Sequence, residues 1–301
     1  MTKVIFFGSE AISVPTLRML LAENYEVLAV VTKADSPRGR GHKFDAPAVK
    51  KVALEWNAKN PTRPIQIWQP NRLGEIAENL RALRPDIGLL VSYGKIIPQT
   101  ILDAFPLGIV NFHPSLLPRL RGSSPIETAI LDGDSETGLT LMQLVKEMDA
   151  GPIFYQEKVR LRGVETKPEL YEKFARRGAE ILRENLPKII GGRLKPTLQN
   201  DDKATYCQLI KKSDGDLDPA AMTASEIDRR VRAFAGWPRT RLNFCGQNVI
   251  ITKIKVLDPA PAAAWPDVVK CLGGSAFQVV QLISPKSGKN LSAAEFLRGI
   301  K

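Results

Sequence analysis

The sequence predicts an α/β protein in which a Rossmann-like, mostly parallel sheet domain precedes a small C-terminal OB-like β-barrel. Up to residue 110, short apolar runs alternate with amphipathic helical segments, which is typical of an open parallel sheet covered by helices. After residue 205, one helical segment is followed by strand-like runs separated by Gly, Pro and Asn, and this pattern indicates a small barrel.

The elements of the sheet domain follow from hydrophobic periodicity. Strands are predicted over residues 4–7, 26–32, 65–68, 86–91, 108–113, 140–144 and 153–161. Helices are predicted over residues 48–58 and 72–83, after a first helix with Leu17, Leu20 and Leu21 on one face and before a last one opened by a capping box at 166–169. Because the loops at the carboxyl ends of parallel strands face one crevice, the segments after residues 7, 91 and 113 are expected to meet.

The predicted domain boundary lies near residue 205. Residues 191–204 begin with two glycines and are polar with little periodicity, so they are predicted to be a linker. The predicted domains are therefore residues 1–190 and 205–301. In the second, a helix over 223–234 precedes strand-like runs that include 249–256 and 277–283.

Composition excludes several classes of protein. The chain has 301 residues, of which 44% are hydrophobic and 25% charged, as in an ordinary globular protein. No apolar run approaches the roughly 20 residues that cross a bilayer, and no signal peptide is expected because a strand pattern begins at once. Cys207, Cys245 and Cys271 form no C-x-x-C pair, so neither a disulfide scaffold nor a metal site is expected. We expect a cytoplasmic protein.

The net charge of +11 predicts an acidic partner, with nucleic acid as the first candidate. From residue 205 onward the chain has 14 Lys and Arg against 8 Asp and Glu, so +6 of the charge falls on the shorter domain. A basic barrel of this kind fits an electrostatic platform for a polyanion. The alternative is a solvated basic surface that serves solubility alone.

Three polar residues form a candidate catalytic group. Asn111 and His113 lie two residues apart on a predicted strand, so their side chains point the same way, and Pro114 and Pro118 stiffen the turn that follows. Asp149 stands before a Gly-Pro turn after another strand pattern. Alone, His113 is as often structural as catalytic, and Asp149 is equally well a turn residue. Together the three can orient an imidazole and stabilise developing charge, which favours catalysis.

Two loops at strand ends differ in the ligands that they predict. The first reads Gly8-Ser9-Glu10 without G-x-G-x-x-G, and no G-x-x-x-x-G-K-[ST] occurs, so neither a dinucleotide site nor a P-loop is predicted. The second, residues 36–43, is rich in glycine and basic residues, including Arg38, Arg40 and Lys43. It is either a mobile surface loop or an element that contacts a phosphate-bearing substrate, and its place beside the functional edge favours the second interpretation.

Six segments carry a resemblance to a known family. They are VSYGKIIP from residue 91, NFHPSLLPRLRGSSPI from 111, ETGLTLMQLVKEMDAGPI from 136, RGRG from 38, VRAFAGWP from 231 and SAAEFLRG from 292. From end to end the chain resembles the methionyl-tRNA formyltransferase family. It departs from the family at Pro114, where a small residue is usual, at Leu120, where Trp is usual, and over residues 8–13, where G-T-P-x-F-A is common.

The resemblance implies an enzyme of translation initiation that moves the formyl group of 10-formyltetrahydrofolate to the α-amine of methionyl initiator tRNA. It implies that Asn111, His113 and Asp149 are catalytic and that Arg38, Arg40 and Lys43 bind the tRNA. The implied folate pocket consists of Val91, Ser92, Tyr93, Gly94, Ser115, Leu116, Leu117 and Pro118. No metal is implied, and a monomer is expected.

Two other functions remain open at this point. A folate-dependent formyltransferase acting on a nucleotide amino sugar would share the three catalytic residues but would not need the basic barrel. A catalytically silent RNA-binding protein could use the same scaffold, although the intact Asn, His and Asp argue against it.

Overall fold

The computed structural model describes residues 1–38, 43–257, 259–263 and 265–300. Its strands are β1 Thr2–Gly8, β2 Tyr25–Val31, β3 Ser36–Arg38, β4 Lys43–Asp45, β5 Gln66–Trp68, β6 Ile87–Val91, β7 Ile109–His113, β8 Arg121–Gly122, β9 Glu136–Gln143, β10 Ile153–Arg160, β11 Tyr206–Cys207, β12 Thr240–Phe244, β13 Gln247–Leu257, β14 Val268–Lys270, β15 Ala276–Ile283 and β16 Asn290–Ser292. Its α-helices are α1 Val14–Ala22, α2 Ala48–Lys59, α3 Ala77–Leu83, α4 Gln99–Leu102, α5 Pro125–Asp132, α6 Lys167–Ile190, α7 Ala224–Ala233 and α8 Ala293–Arg298.

The chain forms two compact units. The first combines Met1–Ser123, Thr137–Val159 and Tyr171–Tyr206, and the second combines Ser124–Glu136, Arg160–Leu170 and Cys207–Lys301. Each unit therefore takes in more than one stretch of the chain. None of the described helices has both the length and the apolarity that crossing a bilayer requires.

The first unit is built on a seven-stranded sheet with the order β10-β9-β7-β6-β1-β2-β5. The neighbours from β7 to β5 run parallel, and β9 is antiparallel to β7, which confirms the predicted mostly parallel sheet. Strand order reverses between β1 and β6, because the chain places β2 on one side of β1 and β6 on the other. Ligands of open α/β sheets bind at the carboxyl ends of the strands at such a point.

The core of this unit forms because the central strands are apolar on both faces. Val4, Ile5, Phe6 and Phe7 of β1 are fully buried, as expected for a parallel strand covered by helices on each side. The Phe7 ring packs edge-on against the rings of Tyr93 and Phe105, with centroids 5.9 and 6.0 Å apart.

One predicted helix is divided in the structure. The periodic segment 72–83 begins as a 3₁₀ turn over Leu73–Ile76, and only α3 is α-helical. Ile76, with φ −102° and ψ 1°, breaks the helical geometry between the two. Both parts still bury the predicted apolar face, since Leu73, Ile76 and Leu80 lie in the same core cluster.

Residues 193–205, which overlap most of the predicted linker, make ordered contacts in the first unit. Thr197 pairs with Ile153 through two backbone hydrogen bonds of 2.7 and 2.8 Å. Asp201–Lys203 forms a 3₁₀ turn whose start is capped by the Asn200 side chain. Several polar groups of this segment therefore have structural partners.

The second unit contains a five-stranded antiparallel sheet in which β12, β13, β15 and β14 are neighbours and β16 pairs with β15. Its core holds Ile251 opposite Leu282 and Ile254 opposite Val279, and Ile227 of α7 lies in the same cluster. A Thr–Glu capping box starts α7, and another of the Ser–Glu type starts α8. The small, barrel-like C-terminal domain predicted from the sequence is confirmed.

Candidate active site

Strand β7 presents Asn111 and His113 on one face. Both are almost buried, with 5% and 4% of their surface exposed. Phe112, between them, points the opposite way, since its ring lies against α6 at Gly178, where an added Cβ would come within 2.6 Å of it. The alternation expected from the sequence is therefore present, and it aims an amide and an imidazole at the same space.

The contacts of His113 decide which ring nitrogen is free. Nε2 lies 2.9 Å from the Leu120 carbonyl oxygen, and Nδ1 lies 3.7 Å from Asp149 Oδ2. A carbonyl oxygen can only accept, so in the neutral ring Nε2 carries the hydrogen and donates it to Leu120. Nδ1 then keeps a lone pair on the side of Asp149, at a distance too long for a direct hydrogen bond.

Asp149 is held in an unusual backbone conformation by its neighbours. Its φ of +50° lies in the left-handed region, which Asp tolerates better than most residues. The Gly122 N–H donates to its carboxylate at 2.8 Å, and Gln199 Nε2 donates to its carbonyl oxygen at 2.8 Å. Gly151 closes the turn, because a Cβ there would lie 1.7 Å from the Gln143 carbonyl oxygen. The carboxylate and the backbone of Asp149 are thus each held by a hydrogen bond.

The Asn111 side chain differs from those of His113 and Asp149, because it has no hydrogen-bond partner among the described residues. Among the described residues its side chain makes no hydrogen bond, yet it is not one of the fully enclosed polar groups without a partner. Its amide therefore retains contact with solvent from a nearly buried position. Such an amide is available to a substrate oxygen.

The turn over residues 115–118 is held in place by hydrogen bonds from the side chains of Thr140 and Gln156. Thr140 Oγ1 donates to the Ser115 carbonyl oxygen at 2.6 Å and accepts from the Leu117 N–H at 3.3 Å. Gln156 Nε2 donates to the Leu117 carbonyl oxygen at 2.7 Å. Leu116 lies over Gly138, where a Cβ would come within 2.3 Å of its side chain. The peptide bond between Leu117 and Pro118 is cis.

The end of β6 is tied to the first loop of the chain. Ser13 Oγ donates to the Val91 carbonyl oxygen at 2.6 Å. The Ser9 N–H donates to the Ser92 carbonyl oxygen at 3.2 Å, and Ser9 Oγ donates to the Tyr93 carbonyl oxygen at 3.3 Å. The loop over residues 8–13, which departs from the family pattern, thus holds the predicted folate-binding residues 91–94 in place through two serines.

Residues 91–94 differ in exposure, and this difference separates residues that can face a ligand from a residue that belongs to the core. Tyr93 is fully buried, burial raises the pKa of its hydroxyl to about 12, and that hydroxyl has no partner among the described residues. Gly94 is exposed, has φ +75°, and leaves room for Lys33, whose Nζ would lie 2.5 Å from a Cβ at this position. Tyr93 therefore supports the core, while Ser92 and Gly94 face outward.

Comparison with known proteins shows which family the chain belongs to. The family model described as "Formyl transferase" matches residues 2–186, and the one described as "Formyl transferase, C-terminal domain" matches residues 209–301. A methionyl-tRNA formyltransferase of Methylococcus capsulatus is 37% identical over 98% of this chain and 96% of its own length. That of Bacillus subtilis is 34% identical over 99% and 95%.

The chain belongs to the methionyl-tRNA formyltransferase family.

Membership confirms the predicted enzyme class, a formyltransferase of translation initiation that uses 10-formyltetrahydrofolate. An N-formyltransferase of Helicobacter canadensis, solved with folinic acid and dTDP-3-aminofucose, has a TM-score of 0.68 at 20% identity and covers 93% of this chain and 99% of its own. HypX of Aquifex aeolicus, solved with tetrahydrofolic acid, has a TM-score of 0.62 at 15% identity over 98% of this chain and 46% of its own. At these identities the two solved structures show the shared fold.

The formyltransferase loop predicted to bind tRNA is described only in part. Arg38 ends β3 and Lys43 begins β4, and the two positions are paired in a short antiparallel ladder. Arg40 lies outside the described residues. The roles of all three stay predictions.

Several residues that contact the site are not among the functional residues predicted from the sequence. Arg121 is 3% exposed, and its guanidinium donates to Gln199 and to Asp201 at 2.8 and 2.6 Å. Burial alone would lower the pKa of Arg121, but hydrogen bonds to Asp201 and Tyr206 raise it. Arg121 stands inside the motif that begins at residue 111, whereas no local signal marks Gln199.

Proposed function

We propose that this chain transfers the formyl group of 10-formyltetrahydrofolate to the α-amine of methionine on initiator tRNA. We further propose that residues 1–190 form the catalytic domain and that the enzyme acts in the cytoplasm. The observation that carries the proposal is the meeting of Asn111, His113 and Asp149 at one strand end. In this reaction the amine nitrogen bonds to the formyl carbon, the formyl oxygen becomes an oxyanion, and the bond from carbon to N10 of the folate then breaks.

Asn111 stabilises the oxyanion. Its amide N–H groups have no other partner among the described residues, so they can donate to the formyl oxygen without giving up a protein contact. A donor fixed on a buried strand needs little reorganisation as charge develops, which is the condition for large electrostatic stabilisation.

His113 moves the proton. Since Nε2 is occupied by the Leu120 carbonyl oxygen, the free Nδ1 accepts a proton from the attacking amine and returns it to N10 as that nitrogen leaves. The same nitrogen therefore serves both steps, and the Leu120 carbonyl fixes the tautomer that makes this possible.

Asp149 balances the charge on His113. Its Oδ2 lies 3.7 Å from Nδ1, close enough to attract the positive charge that the imidazole carries once it has accepted the amine proton, while leaving Nδ1 free to meet the substrate. A water bound between the two groups would let the carboxylate take part in proton transfer.

The formyl donor is proposed to bind between the end of β6 and the turn over residues 115–118. Both segments are fixed internally by Ser9, Ser13, Thr140 and Gln156, which suits a pocket formed before the substrate arrives. The outward-facing Ser92, Gly94 and half-buried Leu116 are the positions from which the pterin would be contacted.

The tRNA is proposed to bind the loop that includes Arg38, Arg40 and Lys43 together with the basic domain 205–301. On β13, Lys253 and Lys255 are exposed on either side of the buried Ile254, and neither forms an ion pair within the described residues. Two neighbouring lysines without acidic partners suit contact with phosphates, which position an RNA without reading its sequence.

Formyl transfer to methionyl initiator tRNA tests the proposal. Asn111→Ala should lower kcat by about 10²–10³ because one oxyanion donor is removed. The matched control is Asn79→Ala, which removes an exposed amide from α3 and should leave the rate unchanged. Equal transfer to free methionine, or none from the wild type, would overturn the proposed function.

The salt dependence of tRNA binding tests the role of the basic surfaces. If Arg40, Lys253 and Lys255 contact phosphates, removing each one should make the log–log salt slope shallower by about 0.9 for every duplex phosphate that is no longer neutralised. An unchanged slope in all three variants would exclude these residues from the tRNA interface.

A further inference from the structure

The backbone arch over residues 120–122 touches both predicted catalytic side chains. The Leu120 carbonyl oxygen accepts from His113 Nε2 at 2.9 Å, and two residues later the Gly122 N–H donates to Asp149 Oδ2 at 2.8 Å. Leu120 has φ +60°, so the arch turns sharply there. A distortion of the arch between Leu120 and Gly122 therefore changes the position of the imidazole relative to the carboxylate.

The side chain between these contacts anchors the arch. The Arg121 guanidinium is buried and donates to Gln199 Oε1 through both Nε, at 3.2 Å, and a terminal nitrogen, at 2.8 Å. Its backbone N–H donates to the Thr205 carbonyl oxygen at 2.8 Å, and the exposed Asp201 carboxylate accepts from the guanidinium at 2.6 Å. The planar fork of Arg suits this kind of paired contact, which Lys cannot reproduce.

Gln199 joins the arch to the Asp149 turn. While its Oε1 accepts from Arg121, its Nε2 donates to the carbonyl oxygens of Asp149 and Gly151, at 2.8 and 2.7 Å. The Gln199 side chain thus uses its amide oxygen as an acceptor toward the arch and its amide nitrogen as a donor toward the turn. It fixes the left-handed conformation that directs the carboxylate toward His113.

We infer that Gln199 and Arg121 are positioning residues that set the separation of His113 Nδ1 and Asp149 Oδ2 for formyl transfer. This inference rests on the proposed function. Both side chains act through the backbone of the arch and of the turn, and their polar groups are engaged by protein atoms. Their removal should lower kcat more than it raises KM, because small displacements of catalytic groups slow the chemical step.

Gln199→Glu is the most informative single change. It keeps the shape and the oxygen that faces Arg121 but replaces the donating NH₂ by an oxygen that opposes two carbonyl oxygens. We expect kcat for methionyl initiator tRNA to fall by about 10–100-fold, with little change in the KM for the tRNA or for 10-formyltetrahydrofolate. Gln66→Glu introduces the same charge at an exposed position of β5 and should retain the wild-type kcat.

A double-mutant cycle separates positioning from a general disruption of structure. If Gln199 acts through Asp149, Gln199→Glu should slow transfer little further in an Asp149→Asn background, because the group it positions is already disabled. An equal fold reduction in both backgrounds would overturn the inference. Wild-type kcat in Gln199→Glu would overturn it as well.

Arg121→Lys keeps the charge and provides a second variant. We expect a fall in kcat of similar size, again sub-additive with Asp149→Asn, at a temperature where thermal unfolding shows the protein folded. Unchanged kcat would remove Arg121 from the inference. An inactive wild type, by contrast, would overturn the proposed function itself, so the two failures are distinguishable.

Discussion

Residues 111–122 and residues 193–205 contribute to the same site in opposite ways. The first segment supplies Asn111 and His113 and is visible in the sequence as a dense motif between strand and turn. The second supplies Gln199 and Thr205 from a polar stretch without periodicity, and these two residues contact the Arg121 side chain and the backbone near the site. Chemistry is encoded locally in this chain, whereas the geometry that supports it is distributed.

This difference predicts graded effects. Residues of the first segment should change the rate by removing a reacting group, and residues of the second by letting that group move. Substitutions in each segment therefore test whether the two segments differ in the size of their effect on kcat.

His113→Ala should have the largest effect. Removing the imidazole eliminates the proposed proton shuttle, and kcat should fall by about 10²–10⁴. Steady-state kinetics with methionyl initiator tRNA measures this fall. A fall of less than about threefold would remove His113 from the chemistry.

Thr140→Val should act on the pocket rather than on the reacting groups. The change keeps the shape of a fully buried side chain but deprives the Ser115 carbonyl and the Leu117 N–H of their partner. The free energy of unfolding should fall by about 1–3 kcal/mol, and the KM for the folate should rise. Denaturant unfolding and folate titration of kcat/KM measure these changes. Unaltered stability would show that solvent replaces the hydroxyl.

How much of the site could be foreseen follows from the same contrast. The strand periodicity places Asn111 and His113 side by side, and the Gly-Pro turn marks Asp149, because each depends on neighbours within a few residues. Gln199 depends on Arg121, which lies 78 residues away in the chain. No periodicity encodes such a contact, so the sequence pattern of this segment predicts only a linker.

The fold shows the same division. Alternating apolar runs predict the parallel sheet and the barrel-like second unit correctly, since burial on one or both faces dictates the pattern of each strand. The break in the 72–83 helix is not predicted, because its apolar spacing continues through Ile76 while the backbone departs from helical geometry. Periodicity reports which face is buried, and it does not report the hydrogen-bond pattern of each turn.

Thr205→Val should have a smaller effect than either variant above. The Thr205 hydroxyl accepts from the Leu120 N–H at 2.9 Å, and its backbone contacts with Pro118 and Arg121 do not depend on the side chain. Removal of one such bond should cost about 0.5–1.5 kcal/mol of stability and slow transfer only a few-fold. A fall as large as that of His113→Ala would break the distinction between the two segments.

Leu198→Ala should have the smallest effect and provides a control within the second segment. Leu198 is 82% exposed and stands directly before Gln199, so the change alters the same stretch of chain without touching the contacts to Arg121 and Asp149. Stability should change by no more than about 0.5 kcal/mol, and kcat should remain that of the wild type. If Leu198→Ala slowed transfer as much as Gln199→Glu, the segment would act through its overall order, and the amide of Gln199 would have no particular role.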